Sequence, residues 1–268
     1  MESADLKSVR RKIERAEHHF DDIKSALKLV LGTETDNHAV IIKNDYERKQ
    51  MIITLPKVTP IKPSVPLIVG DCIHNLRSAL DHLVFQLARK NGASAEAAQK
   101  TFFPICLTQE DFESRVKKLV KPFISDKALA EIKRSQPYSA YDVPEGSDIW
   151  VLHKLDIIDK HRLLLVAKQQ YALTHFRVTV PTGESFEKVF TETKWKPMED
   201  GAEIIRFDFS RAIKAPGKVH VQMQAVSTVQ FVETDSACDG LVVDDAINQI
   251  TAMVKATVRD FGVMFFGE

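Results

Sequence analysis

Residues 64–91 read SVPLIVGDCIHNLRSALDHLVFQLARKN. At 100° per residue, Cys72, Ile73, Leu76, Ala79, Leu80, Leu83, Val84 and Leu87 fall on one broad apolar face. That spacing predicts a long helix, stopped by Asn91-Gly92. The opposite face carries Asp71, His74, Asn75, Arg77, Ser78, Asp81, His82, Gln86 and Arg89. Between 71 and 86 there is no Lys and no Glu. A solvated helix face favours those flexible, strong helix formers. Asp, Asn, Ser and His are poorer ones, so their presence calls for a compensating partner. Burial against polar groups is one such partner; a ligand or RNA is another.

Similar patterns flank this helix. Leu6, Val9, Ile13, Ala16, Phe20, Ile23, Leu27 and Val30 form a narrow stripe within a helix predicted over 3–31. Segment 149–165, IWVLHKLDIIDKHRLLL, is apolar almost all round and should form a central buried helix, with Asp148 as its N-cap. Segment 241–264 places Val243, Ala246, Ile247, Ile250, Met253, Val254, Phe261 and Met264 on one face, interrupted by Thr257. The first and last helices carry stripes of similar spacing and are expected to pair. Between 94 and 147 lie short helices and loops, one with an acidic start at Thr108–Asp111.

Two regions read as strands. HAVIIKNDYERKQMIITL (38–55) predicts a hairpin, followed by an extended connector with four prolines, PKVTPIKPSVP (56–66). Residues 166–234 predict an antiparallel meander with turns near Thr182-Gly183, Glu199-Asp200-Gly201 and Pro216-Gly217. The fold class is therefore α+β: four main helices in a bundle plus one small antiparallel sheet. We expect a single domain over 1–268, with a helical core (1–35, 64–165, 241–264) and a β-rich part (36–56, 166–234).

Lys+Arg and Asp+Glu both number 37, which disfavours a uniformly basic nucleic-acid binder but leaves room for a local patch. Cys72, Cys106 and Cys238 are far apart and odd in number, so no disulfide framework or cysteine zinc site is expected. That fits a reducing cytoplasm. MESADLKSVRRKIERAEHHF has no apolar core and does not read as a signal peptide. No stretch approaches membrane-spanning length, and no membrane association is expected. Nucleotide loops, dinucleotide fingerprints and serine elbows have no counterpart here, so no cofactor is expected.

The chemistry concentrates on two helices. On the first, His74, Arg77 and Asp81 are spaced i, i+3, i+7, so Arg77 can bridge Asp81. Asn75, Ser78 and His82 line up beside them. On the second, His153, Asp156 and Lys160 share one side, and a carboxylate there could orient a histidine on the first. His161 falls with Trp150, Ile157 and Leu164 and reads as a core histidine. One reading makes Arg77 and His82 catalytic in metal-independent RNA cleavage. His82 would move the ribose proton, Arg77 would hold the phosphate, and the other polar residues would support them. The two lie about 140° apart round the helix, so a dimer would be needed to bring such groups together. A second reading is a metal-dependent hydrolase with His74, Asp81 and His82 as ligands, joined by His153 or Asp156 from the neighbouring helix. It ranks lower, because His74 and His82 are about 12 Å apart in rise and no HEXXH is present. A third is a non-catalytic ligand- or partner-binding protein whose polar network is structural.

HNLRSALDHL resembles the motif helix of the HEPN superfamily, helical proteins many of which are dimeric RNases of toxin and defence systems. Arg77 and His82 match that family's Arg and His, while Ser78 stands where it usually carries Asn, Asp or His. The resemblance implies RNA as partner, a homodimer formed through the helical bundle, and Arg77 and His82 as its catalytic groups. More broadly, GDCIHNLRSALDHLVFQLA, FFPI, SQPY and LHKLDIIDKHRLL, over residues 65–165, resemble a widespread set of uncharacterised bacterial proteins. That likeness implies a bacterial or phage origin and no particular activity.

Overall fold

The computed structural model describes residues 5–31, 41–45, 48, 50–55, 58–162, 167–179, 185–189, 194, 196–208, 220–232 and 237–267. The fold is α+β, with antiparallel strand pairing throughout the described registers. It divides into two compact units. One is helical and comprises Met1–Lys24, Pro63–Val166 and Phe231–Glu268; the other comprises Ser25–Lys62 and Ala167–Gln230.

In the helical unit, α1 (Lys7–Leu31) buries Val9, Ile13 and Ala16, and Leu6 just ahead of it is buried too, so the predicted stripe is the packed face. Helix α2 (Ser64–Lys90) starts behind Pro63 and stops at Asn91, where Gly92 takes φ +91°. Its Cys72, Ile73, Leu76, Ala79, Leu80, Leu83 and Val84 are fully buried. Burying each large aliphatic side chain contributes about 1.5–3 kcal/mol, so together they more than offset the weak helix propensity of the polar face. Short helices follow: α3 (Ala95–Ala98), α4 (Gln109–Leu119), α5 (Asp126–Arg134) and α6 (Pro137–Ala140). Ser94, Thr108 and Ser125 cap the first three by accepting from the N–H three residues on. Helix α7 is Asp148–Arg162. Asp148 is thus its first residue rather than its cap, and its carboxylate favours the positive end of the helix dipole.

Helix α8 (Val243–Phe261) packs with α2 and α7 and is tied to α1 by a 2.7 Å ion pair, Lys255–Glu17. The expected pairing of first and last helices is therefore present. After Phe261 the backbone widens into a π turn over Gly262–Phe266. That turn breaks the 3.6-residue period, so Met264 is exposed instead of continuing the stripe. Thr251 is a second polar interruption; it is buried because its hydroxyl donates to the Ile247 carbonyl.

In the other unit, β1 (Ile41–Asp45) and β2 (Gln50–Thr54) form the predicted hairpin. The expected single sheet is instead two. Strand β6 (Glu203–Asp208) joins the hairpin in the order β1-β2-β6, with a bulge at Ile53/Thr54. Strands β3 (Ala167–Thr179), β4 (Ser185–Val189), β5 (Lys196–Pro197) and β7 (His220–Phe231) form the other, with β4, β5 and β7 all pairing to β3. Thirteen-residue β3 is long enough to serve several partners along its length, which separates these strands from the hairpin. Met51 and Ile53 are buried at alternate positions, as a half-buried strand requires. The turn at Glu199-Asp200-Gly201 is present, with Gly201 at φ +71°. The expected turns at Thr182-Gly183 and Pro216-Gly217 lie outside the described residues.

Candidate functional site

The polar residues of α2 divide among three surroundings. The first is a buried connector. Residues 101–106 (TFFPIC) have no regular secondary structure, yet Phe103 is fully buried, so its backbone polar groups need partners. Arg77 and Asp81 supply them. The Arg77 guanidinium donates to Asp81 Oδ1 and to the Phe103 carbonyl, both at 2.8 Å. Asp81 Oδ1 also accepts from the Phe103 N–H at 2.8 Å. Gln136 completes the support, accepting from Cys106 N–H and donating to the Pro104 and Ile132 carbonyls. The FFPI and SQPY stretches are thus two halves of one hydrogen-bonded joint.

The second surrounding is α7. Asp156, almost fully buried, accepts from Lys160 at 2.6 Å and lies 3.6 Å from His74 Nδ1. The anticipated histidine–carboxylate pair across the two helices is therefore His74 with Asp156. Ser78 turns to His74 at 3.4 Å rather than to His82. The α2–α7 crossing is close at Gly70, where a Cβ would run into the Asp159 carboxylate. Burial, then Asp156 and Asp71, push the Asp159 carboxyl up. His153 does not join the His74 group. Its Nδ1 is buried with no hydrogen-bond partner among the described residues, and its ring lies 5.3 Å from Trp150. Burial, followed by the positive charges of Arg77 and Arg115, pushes its imidazole down to about 4. His161 is exposed, and Ile157 beside it is partly so; the buried face of α7 instead carries Leu152, Leu155 and Ile158.

The third surrounding is an open groove of about 790 Å³ between α1 and α2. The helices run antiparallel. Gln86 is bonded to Ser8 and the Asp5 N–H, Asn75 accepts from Lys12, and the Cys72 thiol donates to the Ala16 carbonyl. His82 and Phe85 line the groove on α2, with Arg89 beyond them. Lys7, Arg11, Lys12 and Arg15 line it from the N-terminal region of the chain, and Asp5 is the single carboxylate there. His82 is half-buried, and burial followed by Lys12 pushes its imidazole down, against a smaller upward pull from Asp81. Both larger effects favour the neutral ring.

The structure does not bring Arg77 and His82 together. They lie on different sides of α2, and the Arg77 guanidinium is buried with both ends in use. Nor does it gather His74, Asp81 and His82, which face α7, the Phe103 connector and the groove respectively. No cluster of three His, Cys, Asp or Glu suited to a metal ion occurs among the described residues. Sequence reasoning missed Arg11, Lys12 and Arg15. Their signal was present in RRKIER (10–15), where residues 11, 12 and 15 share one helix side, away from the apolar stripe. It also missed buried His19, lowered by burial and then by Arg15. Compared with known protein families, curated proteins and solved structures, the chain matches none of them. Among the described residues no helix is long and apolar enough to cross a membrane.

Proposed function

We propose that the protein binds RNA through the α1–α2 groove, and that the polar network elsewhere on α2 is architectural. One observation carries this reading: five cationic side chains and one carboxylate surround an accessible histidine in an open groove. Phosphate contacts supply most of the affinity for a nucleic acid, and clustered Lys and Arg are their source. Of Arg77 and His82, the two residues that match the HEPN motif, His82 alone lies in this groove, and that resemblance favours RNA as the polyanion; the reading fits a bacterial cytoplasmic protein. The cations come from the same chain as His82, so this site needs no second copy. Titrating a labelled 16-nucleotide RNA should show saturable binding that weakens with salt. Reversing charge in Lys12→Glu/Arg15→Glu should weaken it at least tenfold. Equal affinity of the two proteins contradicts the assignment.

The position of His82 favours a second reading, metal-independent cleavage of the bound strand. A neutral imidazole can accept the 2′-hydroxyl proton as that oxygen attacks the phosphorus; the P–O5′ bond breaks, water protonates the leaving 5′-oxygen, and Lys12 and Arg15 hold the phosphate. They would take the part expected of Arg77. Incubation of RNA with wild type, but not His82→Ala, should yield fragments ending in 2′,3′-cyclic phosphate. Intact RNA with both proteins leaves binding alone as the function.

A further inference from the structure

We propose that Phe85 is a base-stacking platform, making single-stranded rather than duplex RNA the ligand of the groove. This rests on the reading that the groove binds RNA. Phe85 follows His82 by three residues, about 4.5 Å along α2 and on the same side. The core of α2 does not account for it: Leu83, Val84 and Leu87 fill the apolar face, while Phe85 is half-buried in a groove of charged side chains. Arg11 and Arg15 line the same groove from α1, one helical turn apart, about 6 Å, and can track successive phosphates running from the Phe85 end towards Asn75. An aromatic ring beside a row of cations holds an unpaired base by its face and the backbone by its charge. A duplex stacks its bases internally and offers such a ring none.

The nearby amides add a corollary. Gln86 is held by Ser8 and the Asp5 N–H, and Asn75 by Lys12 and the Asp71 carbonyl. Both amides are engaged within the protein, which leaves the cations, His82 and the Phe85 ring as the groove's main contacts for a strand.

Three probes test the proposal: a 12-nucleotide single-stranded RNA, the same sequence as a duplex, and inorganic polyphosphate. Wild type should bind the single strand about tenfold more tightly than the duplex. Phe85→Leu should lose about tenfold on the single strand and leave polyphosphate binding unchanged, while Phe85→Trp should retain single-strand affinity. Equal wild-type affinity for single strand and duplex overturns the proposal, and so does a parallel loss on all probes in Phe85→Leu with no rescue by Trp. If single strand, duplex and polyphosphate all bind equally, the groove is a phosphate site and the stacking role falls alone. If no RNA binds wild type, the groove reading and the stacking role fail together.

Discussion

Arg77 and Asp81 satisfy both backbone groups of Phe103, so each is tied to the fold by more than the charge between them. Asp81→Ala leaves the Phe103 N–H and a buried guanidinium without their acceptor. We expect it to cost about 3 kcal/mol in urea denaturation, at the low end for a broken buried pair because Asp81 is partly exposed. Arg77→Lys should not restore stability, since a single ammonium cannot reproduce the two-armed geometry. His153 gives a test by pH. Its folded pKa, about 4, lies below the ordinary 6.5, so the unfolded chain binds a proton that the folded one refuses. Its contribution to stability is present above pH 6.5 and is lost as pH falls from 6.5 towards 4. His153→Phe should therefore show a shallower fall in Tm between pH 7 and 5 than wild type; an unchanged slope contradicts the burial argument.

Between elements, the Asp159 carboxylate of α7 occupies the space that a side chain at Gly70 of α2 would take. Gly70→Ala gains helix propensity, worth about 1 kcal/mol, yet collides with Asp159. The blocking atoms end a partly exposed side chain that can turn aside, so we expect a net change within about 1 kcal/mol of zero, and a clearer stabilisation by the same change in an Asp159→Ala background. A double-mutant cycle with no coupling would show that the helices yield at little cost. The helices themselves were legible in the sequence, because α1, α2 and α8 bury the residues that the 3.6-residue period selects. Arg77 was not. The helical wheel assigns it to the polar face, while its burial depends on a connector contributed by residues 101–106, which have no periodicity to read. The two-sheet arrangement was equally hidden, since alternation predicts strands but not which strands pair.

Across the whole molecule, a net charge of zero conceals an uneven surface. On α1, Arg11, Lys12 and Arg15 face the α2 groove, while Glu14, Glu17 and Asp21 line the side next to α8. This segregation lets an overall neutral protein present a cationic track. If four to five phosphates are engaged, log affinity should fall with log salt at a slope of about −3, from roughly 0.7 per phosphate on a single strand. The Arg11→Ala/Arg15→Ala variant should reduce that slope by between one and two. The bulk composition correctly left room for such a patch, whereas the motif-rich stretches proved to hold the architecture: Gly70, His74, Arg77, Asp81, Gln136 and Asp156 all serve packing or hydrogen bonding between elements.

RNA binding in the α1–α2 groove should leave the Arg77–Asp81–Phe103 joint closed. Backbone amide chemical shifts of the isotope-labelled protein, followed while an eight-nucleotide single-stranded RNA is added, test both parts together. Shifts are expected to concentrate in residues 7–16 and 82–89, with those of residues 101–106 and 136 unmoved. Shifts centred on Phe103, Gln136 and His153 with none along α1 would contradict it.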